Sequence, residues 1–291
     1  MGKAHRLGRI QGHLGRGRLS LPRHSVDRAA PIGVFDSGIG GLSVLRALRA
    51  QLPAEHFVYL ADSAHAPYGE RGDAYVGARS LALARVLAHE HRAKALVVAC
   101  NTATGAAIAT LRQAYPGLPI VGIEPALKPA QALSRSGRIA VWATRGTLAG
   151  DKFALLLRSL PAGTDWVLTP CDGLADAIEA AATPGAPRDA VLALCQRYAD
   201  QSGPFGPAPG QADLLVLGCT HYPLASSVIR QAVGPAVTLV EPGPAVARQL
   251  QRLLAERALT RDALEVGHLT LLSTGAPEAL QTAAALLLPQ T

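Results

Sequence analysis

Apolar residues along this chain fall in two alternating patterns from about residue 31 onward. Short continuous runs occupy 31–35, 56–60, 96–99, 119–122, 138–142, 165–168, 215–217, 237–240 and 269–272. Runs of this length, rich in Val, Ile and Leu and without alternation, predict strands buried on both faces. Between them, apolar positions recur at helical spacing, as in Leu42, Leu45, Leu48 and Leu52. The same period predicts helices over 73–91, from about 102, from about 148, over 173–182, 188–200 and 245–256, and a last amphipathic one around 283–288. Strand and helix in alternation mean right-handed βαβ units and mainly parallel sheets. Turn residues at 183–187 and the Pro/Gly loop 203–210 interrupt the series.

Two rough copies of one pattern are visible. In each, one strand ends in a polar, glycine-containing turn (Asp36-Ser37-Gly38-Ile39-Gly40-Gly41 and Ala143-Thr144-Arg145-Gly146-Thr147), and a later strand ends abruptly in a cysteine. The cysteines are Cys100, followed by Asn101 and Thr102, and Cys219, followed by Thr220 and His221. Thr102 is the expected N-cap of the helix after Cys100, and Pro223 suits the first turn after Cys219. The expected fold is α/β: two similar lobes of mainly parallel sheet flanked by helices, with a ligand cleft between them. The expected division is a basic, flexible extension over 1–30, a first lobe of 31–123 plus 232–291, and a second lobe of 124–231.

Composition narrows the picture. Hydrophobic residues make up 49% of the 291 and aromatic ones only 4%, so the cores are built from Ala, Leu and Val. No apolar stretch reaches the roughly 18 residues a membrane helix needs. The net charge of +7 suggests nucleic acid until it is located: Lys3, Arg6, Arg9, Arg16, Arg18, Arg23 and Arg28 stand against Asp27 in residues 1–30, and the rest is nearly neutral. The four cysteines (Cys100, Cys171, Cys195, Cys219), none in a C-x-x-C pair, point to free thiols in a reducing compartment. Cys171 and Cys195 read as small buried hydrophobes. The lysines are Lys3, Lys94, Lys128 and Lys152, none in a motif for a pyridoxal phosphate Schiff base.

Two thiols in matching positions suggest one ligand between them. A thiolate on one face of an acidic carbon removes a proton and a thiol on the other supplies one, which inverts configuration without a cofactor. Backbone N–H groups at helix N-termini, with Ser37, Asn101 and Thr220, suit the carboxylate that takes up charge. His221 and Asp36 suit proton shuttling or orientation beside the thiols. Competing readings stay open at this level. Cys100 and Cys219 also fit a disulfide, and the turn 36–41 also fits an anion, although it lacks the full Gly-x-Gly-x-x-Gly pattern. Cys219-x-His221 has no second pair to complete a metal site.

The set Val34 to Gly41, Pro67-Tyr68-Gly69, Cys100-Asn101-Thr102 and Gly218-Cys219-Thr220-His221-Tyr222-Pro223 resembles the glutamate racemases of the cofactor-independent aspartate/glutamate racemase superfamily. The resemblance runs in order from about residue 31 to the end. It implies that Cys100 and Cys219 are acid/base thiols, one for each enantiomer. It also implies that Asp36, Ser37, Tyr68, Gly69, Asn101, Thr102, Thr220 and His221 contact the amino acid, and that Glu179 stands where the family's supporting glutamate falls. The implied activity is interconversion of L- and D-glutamate for cell-wall peptidoglycan, with no cofactor and no metal, in a cytoplasmic and often homodimeric enzyme. The chain departs from the family pattern over 171–179, which is more polar here, and at Glu241-Pro242-Gly243. The alternatives are a racemase for aspartate or another small dicarboxylate, and a second role in which the basic leader contacts nucleic acid or a topoisomerase. Some relatives also respond to a cell-wall nucleotide precursor.

Overall fold

The structure, a computed structural model, describes residues 4–6, 27–182 and 188–288. Among the described residues, ten strands divide between two wholly parallel sheets. The first half of the chain supplies β1 (Ala4–Arg6), β2 (Ile32–Asp36), β3 (Phe57–Ala61), β4 (Ala95–Val98) and β5 (Ile120–Gly122). Residues beyond these supply β6 (Arg138–Ala143), β7 (Asp165–Pro170), β8 (Leu214–Leu217), β9 (Thr238–Val240) and β10 (Leu269–Ser273). The first sheet runs β1-β10-β3-β2-β4-β5 and the second β7-β6-β8-β9. Every residue of β2, β3, β4 and β8 is buried, as their unbroken apolar runs require.

Alternate residues of each strand feed different cores. In the first lobe, Ile32, Val34 and Tyr59 pack with Leu45 of α1 (Leu42–Gln51) on one face. Phe35, Val58 and Leu60 pack on the other face with α2 (Asp73–Arg85) and α3 (Asn101–Ala114). The second lobe opens with α4 (Leu127–Leu133), α5 (Arg145–Ala149) and α6 (Asp151–Arg158). It continues with α7 (Leu174–Ala181), α8 (Asp189–Ser202) and α9 (Ser226–Val233). The chain then returns to the first lobe through α10 (Gly243–Glu256), which packs on α1, and ends in α11 (Pro277–Leu287).

Several expectations need correction. The second sheet extends past the expected boundary at 232, because β9 pairs with β8 in register Leu214↔Thr238, so the chain returns only after Val240. Two stretches of the extension expected over 1–30 are described, residues 4–6 and 27–30. Ala4–Arg6 pairs with Leu271–Ser273 and satisfies the open edge of β10, and Lys94 Nζ donates to the Arg28 carbonyl. The rest of that segment up to residue 26, and the turn 183–187, lie outside the described residues. The helix expected over 73–91 turns π-helical over Val86–Glu90. Helix α4 went unpredicted because Lys128-Pro129 interrupts its pattern; a proline in the first turn gives up an N–H that has no helical partner anyway. Among the described residues, no helix is long and apolar enough to cross a membrane.

Candidate active site

In parallel α/β sheets the carboxyl ends of the strands form the crevice, and here the two lobes face each other across theirs. Residues following β2, β3 and β4 meet residues following β6, β7 and β8 around one cleft. Cys100 and Cys219 both line it, both almost fully buried, and all four cysteines are free thiols. The sequence brings them there in the same way. Each follows a four-residue all-buried strand that its neighbours hold by parallel ladders.

Cys100, not Thr102, is the N-cap of α3: its Sγ accepts from Ala103 N at 3.5 Å. Thr102 is inside the first turn and faces the other lobe, with Oγ1 3.2 Å from Thr144 Oγ1. On the far side of Cys100, Ser37 Oγ lies at 4.0 Å. Asp36 is fully buried behind them and accepts from Gly41 N at 2.6 Å, while the Thr220 hydroxyl reaches it from the second lobe at 3.4 Å. Burial pushes the Cys100 thiol well above its usual range, and the Asp36 carboxylate adds to that push. Burial also raises Asp36, against the lowering pull of His221. Both effects at Cys100 favour its thiol form.

Cys219 sits in a different setting. His221 Nδ1 lies 3.8 Å from its Sγ, and His221 Nε2 lies 2.5 Å from Glu179 Oε2. Burial opposes a charge on His221, but the hydrogen bonds to Cys219 and Glu179 outweigh it and hold its pKa well above 6.5. Glu179 shifts the opposite way: despite burial, the bond from His221 lowers it. Glu179 Oε2 also accepts from Ile39 N at 3.3 Å, so the glycine turn of the first lobe closes on this pair. A Cβ at Gly38 would overlap the Glu179 carboxylate and one at Gly40 would overlap the His221 ring. The glycines are there to let the lobes meet.

Asn101 points to a ligand by its lack of partners: both side-chain polar atoms are buried with no hydrogen bond. An unpaired buried amide costs about 1–3 kcal/mol, and a ligand in this cleft would satisfy it. Tyr68 and Gly69 line the opposite wall, with Tyr68 OH donating to Asp62 Oδ2 at 2.5 Å. Asp62 in turn accepts from Arg79 Nε at 2.9 Å and Nη2 at 2.7 Å. Among the described residues, no cluster of three or more His, Cys, Asp or Glu is arranged to hold a metal ion.

A family model for Asp/Glu/Hydantoin racemases matches residues 32–250. The chain belongs to this family. It is thus an isomerase, and its relatives are glutamate racemases. That of Ectopseudomonas mendocina is 49% identical over 79% of this chain and 84% of the relative. That of Stutzerimonas stutzeri is 48% identical over 80% and 85%. Among solved structures, a Bacillus anthracis glutamate racemase isoform superposes with TM-score 0.75 at 30% identity, covering 88% of this chain and 93% of that one. The Francisella tularensis glutamate racemase in complex with D-glutamate gives TM-score 0.74 at 25% identity, over 90% and 94%.

Of the residues singled out from the sequence of this racemase-family chain, ten line the cleft: Ser37, Tyr68, Gly69, Cys100, Asn101, Thr102, Glu179, Cys219, Thr220 and His221. Asp36 lies behind the wall rather than in it. Sequence reasoning missed Thr144, Arg145 and Asp172, which also line the cleft. The available signal was positional, since Thr144 directly follows β6 and Asp172 closely follows β7, at the carboxyl ends of their strands.

Proposed function

We propose that this protein interconverts L- and D-glutamate by proton transfer between two thiols, with no cofactor. The observation that carries the reading is the pair of buried cysteines, one from each lobe, lining a single cleft. In one direction a thiolate at one cysteine takes the proton from the α-carbon and the thiol of the other delivers a proton to the opposite face. The reverse direction exchanges the roles. His221, hydrogen-bonded to both Cys219 and Glu179, is within reach to exchange protons with the Cys219 side. Asn101, Ser37, Thr102 and Thr220 supply hydrogen-bonding groups for the substrate's ammonium and carboxylates, and Asp36 orients the Ser37 and Thr220 hydroxyls from behind. Glutamate is the preferred substrate over aspartate in this reading because the most similar relatives are glutamate racemases. We extend it, on the resemblance, to a cytoplasmic homodimer that supplies D-glutamate for peptidoglycan.

The test follows the optical rotation of purified protein with L- or D-glutamate by circular dichroism, with and without reductant. Cys100→Ala and Cys219→Ala should each reduce racemisation in both directions by roughly 10²–10⁴-fold or more, the range expected for losing an acid/base group. Full activity in either variant overturns the two-thiol mechanism. Faster turnover of aspartate than of glutamate overturns the substrate assignment.

A further inference from the structure

The charges around the cleft are uneven. Its carboxylates are Glu70, Asp172, Asp176 and Glu179, whereas Arg145 is the one Lys or Arg side chain among the described residues lining it. Glu179 is neutralised by His221 at 2.5 Å. The remaining acids face a substrate that, as glutamate, carries two carboxylates and one ammonium. Among the described residues lining the cleft, Arg145 is therefore the one fixed Lys or Arg cation that can offset repulsion at entry. It stands at the rim, 66% exposed, where its Nη2 lies 2.5 Å from Oδ2 of Asp172, itself 44% exposed. The two come from different strand ends, Arg145 from the first turn of α5 after β6 and Asp172 from the turn before α7 after β7. Their segments are joined beneath by Cys171 N donating to Ala143 O at 2.9 Å.

We propose that Arg145 is a specificity residue that guides the substrate's side-chain carboxylate into the cleft, and that Asp172 competes with that carboxylate for the same guanidinium. Asp172 holds Nη2 of Arg145 and offsets its charge, so a substrate carboxylate approaching the same guanidinium must displace Asp172 or settle for the other donors of a partly neutralised cation. Asp172 and the substrate thus draw on one charge, and the strength of the Arg145–Asp172 pair sets how much of the arginine is free to act. Neither residue touches the thiols, so the effect belongs to binding and not to the chemical step. Exposed pairs of this kind are worth little, so the change is modest, roughly two- to fivefold in KM. The inference rests on the racemase reading above and deepens it.

Competition and bracing differ in sign. If Asp172 competes, Arg145→Gln raises KM for glutamate two- to fivefold and Asp172→Asn lowers it by a similar factor, with kcat within about twofold in both. The double variant follows Arg145→Gln, because the competitor matters only while the arginine is present. KM of the Arg145→Gln variant also rises less steeply with salt, since screening weakens what that variant lacks. If the pair is merely a brace, both single variants break the same contact and shift KM in the same direction. Shifts of the same sign, or no shift in either variant, overturn the proposal. Wild-type protein in the same assay separates this failure from failure of the racemase reading, which would show as no racemisation at all. Thermal melts followed by circular dichroism check that both surface variants fold.

Discussion

The cleft gives its two thiols unequal surroundings. Cys100 is buried against the carboxylate of Asp36, and both effects raise its pKa, whereas Cys219 faces a histidine whose pKa its hydrogen bonds to Cys219 and Glu179 raise against burial. Removing the acceptor tests that arrangement. In Glu179→Gln the imidazole loses its charged partner, so its raised pKa falls back toward 6.5 and the alkaline limb of kcat/KM moves to lower pH, with a tenfold or smaller loss at the optimum. A pH–rate profile for both enantiomers reads the shift, and an unchanged alkaline limb would mean that His221 protonation does not govern turnover. The same group has a stability consequence. Its folded pKa lies above the unfolded value, so its contribution is full below the unfolded pKa and is lost as pH rises through the folded one. Asp36, whose pKa is raised by burial, likewise favours the folded state more at low pH than at neutral pH.

At the scale of elements, the turn between β2 and α1 is the part that tolerates least. Gly40 lies against the His221 ring, which is itself held at Cys219 and Glu179, so a methyl at Gly40 has to push the ring off these partners. Gly40→Ala should therefore displace the imidazole and lower kcat by roughly 10²-fold, the usual effect of moving a catalytic group by about 1 Å. Its melting temperature should fall only by the amount an overpacked methyl costs, about 1–3 kcal/mol. Gly38→Ala should be milder, since the Glu179 carboxylate it meets is the end of a flexible side chain. Steady-state kinetics alongside thermal melts separate the two effects. The strands that deliver the cysteines were legible in the sequence because burial on both faces leaves an uninterrupted apolar run. The cap was misplaced by two residues because capping preference ranks hydroxyl side chains, whereas here the thiol of Cys100 takes the role and Thr102 turns to Thr144. Arg145 and Asp172 were not legible as a pair, because only the β6–β7 ladder brings together residues 27 apart in sequence at one rim.

Over the whole molecule, the reacting end and the anchoring end of the first sheet are opposite. The site occupies the carboxyl ends of the strands, while Lys94, just before β4, is buried at the amino ends with Nζ 2.5 Å from Glu55 Oε2. A buried ammonium needs several acceptors, and a second is the Arg28 carbonyl. Arg28 is further tied down by Nε donating to Ala258 O at 2.9 Å. The segment before β2 is thus two different things: a short edge strand at Ala4–Arg6 and a structural clasp at 27–30. Truncations should separate them. Removing residues 1–26 takes away β1, a three-residue edge strand, and should leave both racemisation and thermal midpoint nearly unchanged. Removing residues 1–30 also strips the carbonyl from Lys94, which should cost about 1.5–3 kcal/mol for a hydrogen bond to a charged group. At about 2–4 °C per kcal/mol for a chain of this size, the midpoint should drop by about 3–12 °C. Racemisation below the transition should survive in both, because none of the described residues over 1–30 lines the cleft. Equal midpoints for the two truncations would show that the clasp contributes nothing, and loss of activity in the shorter cut would tie β1 to the site.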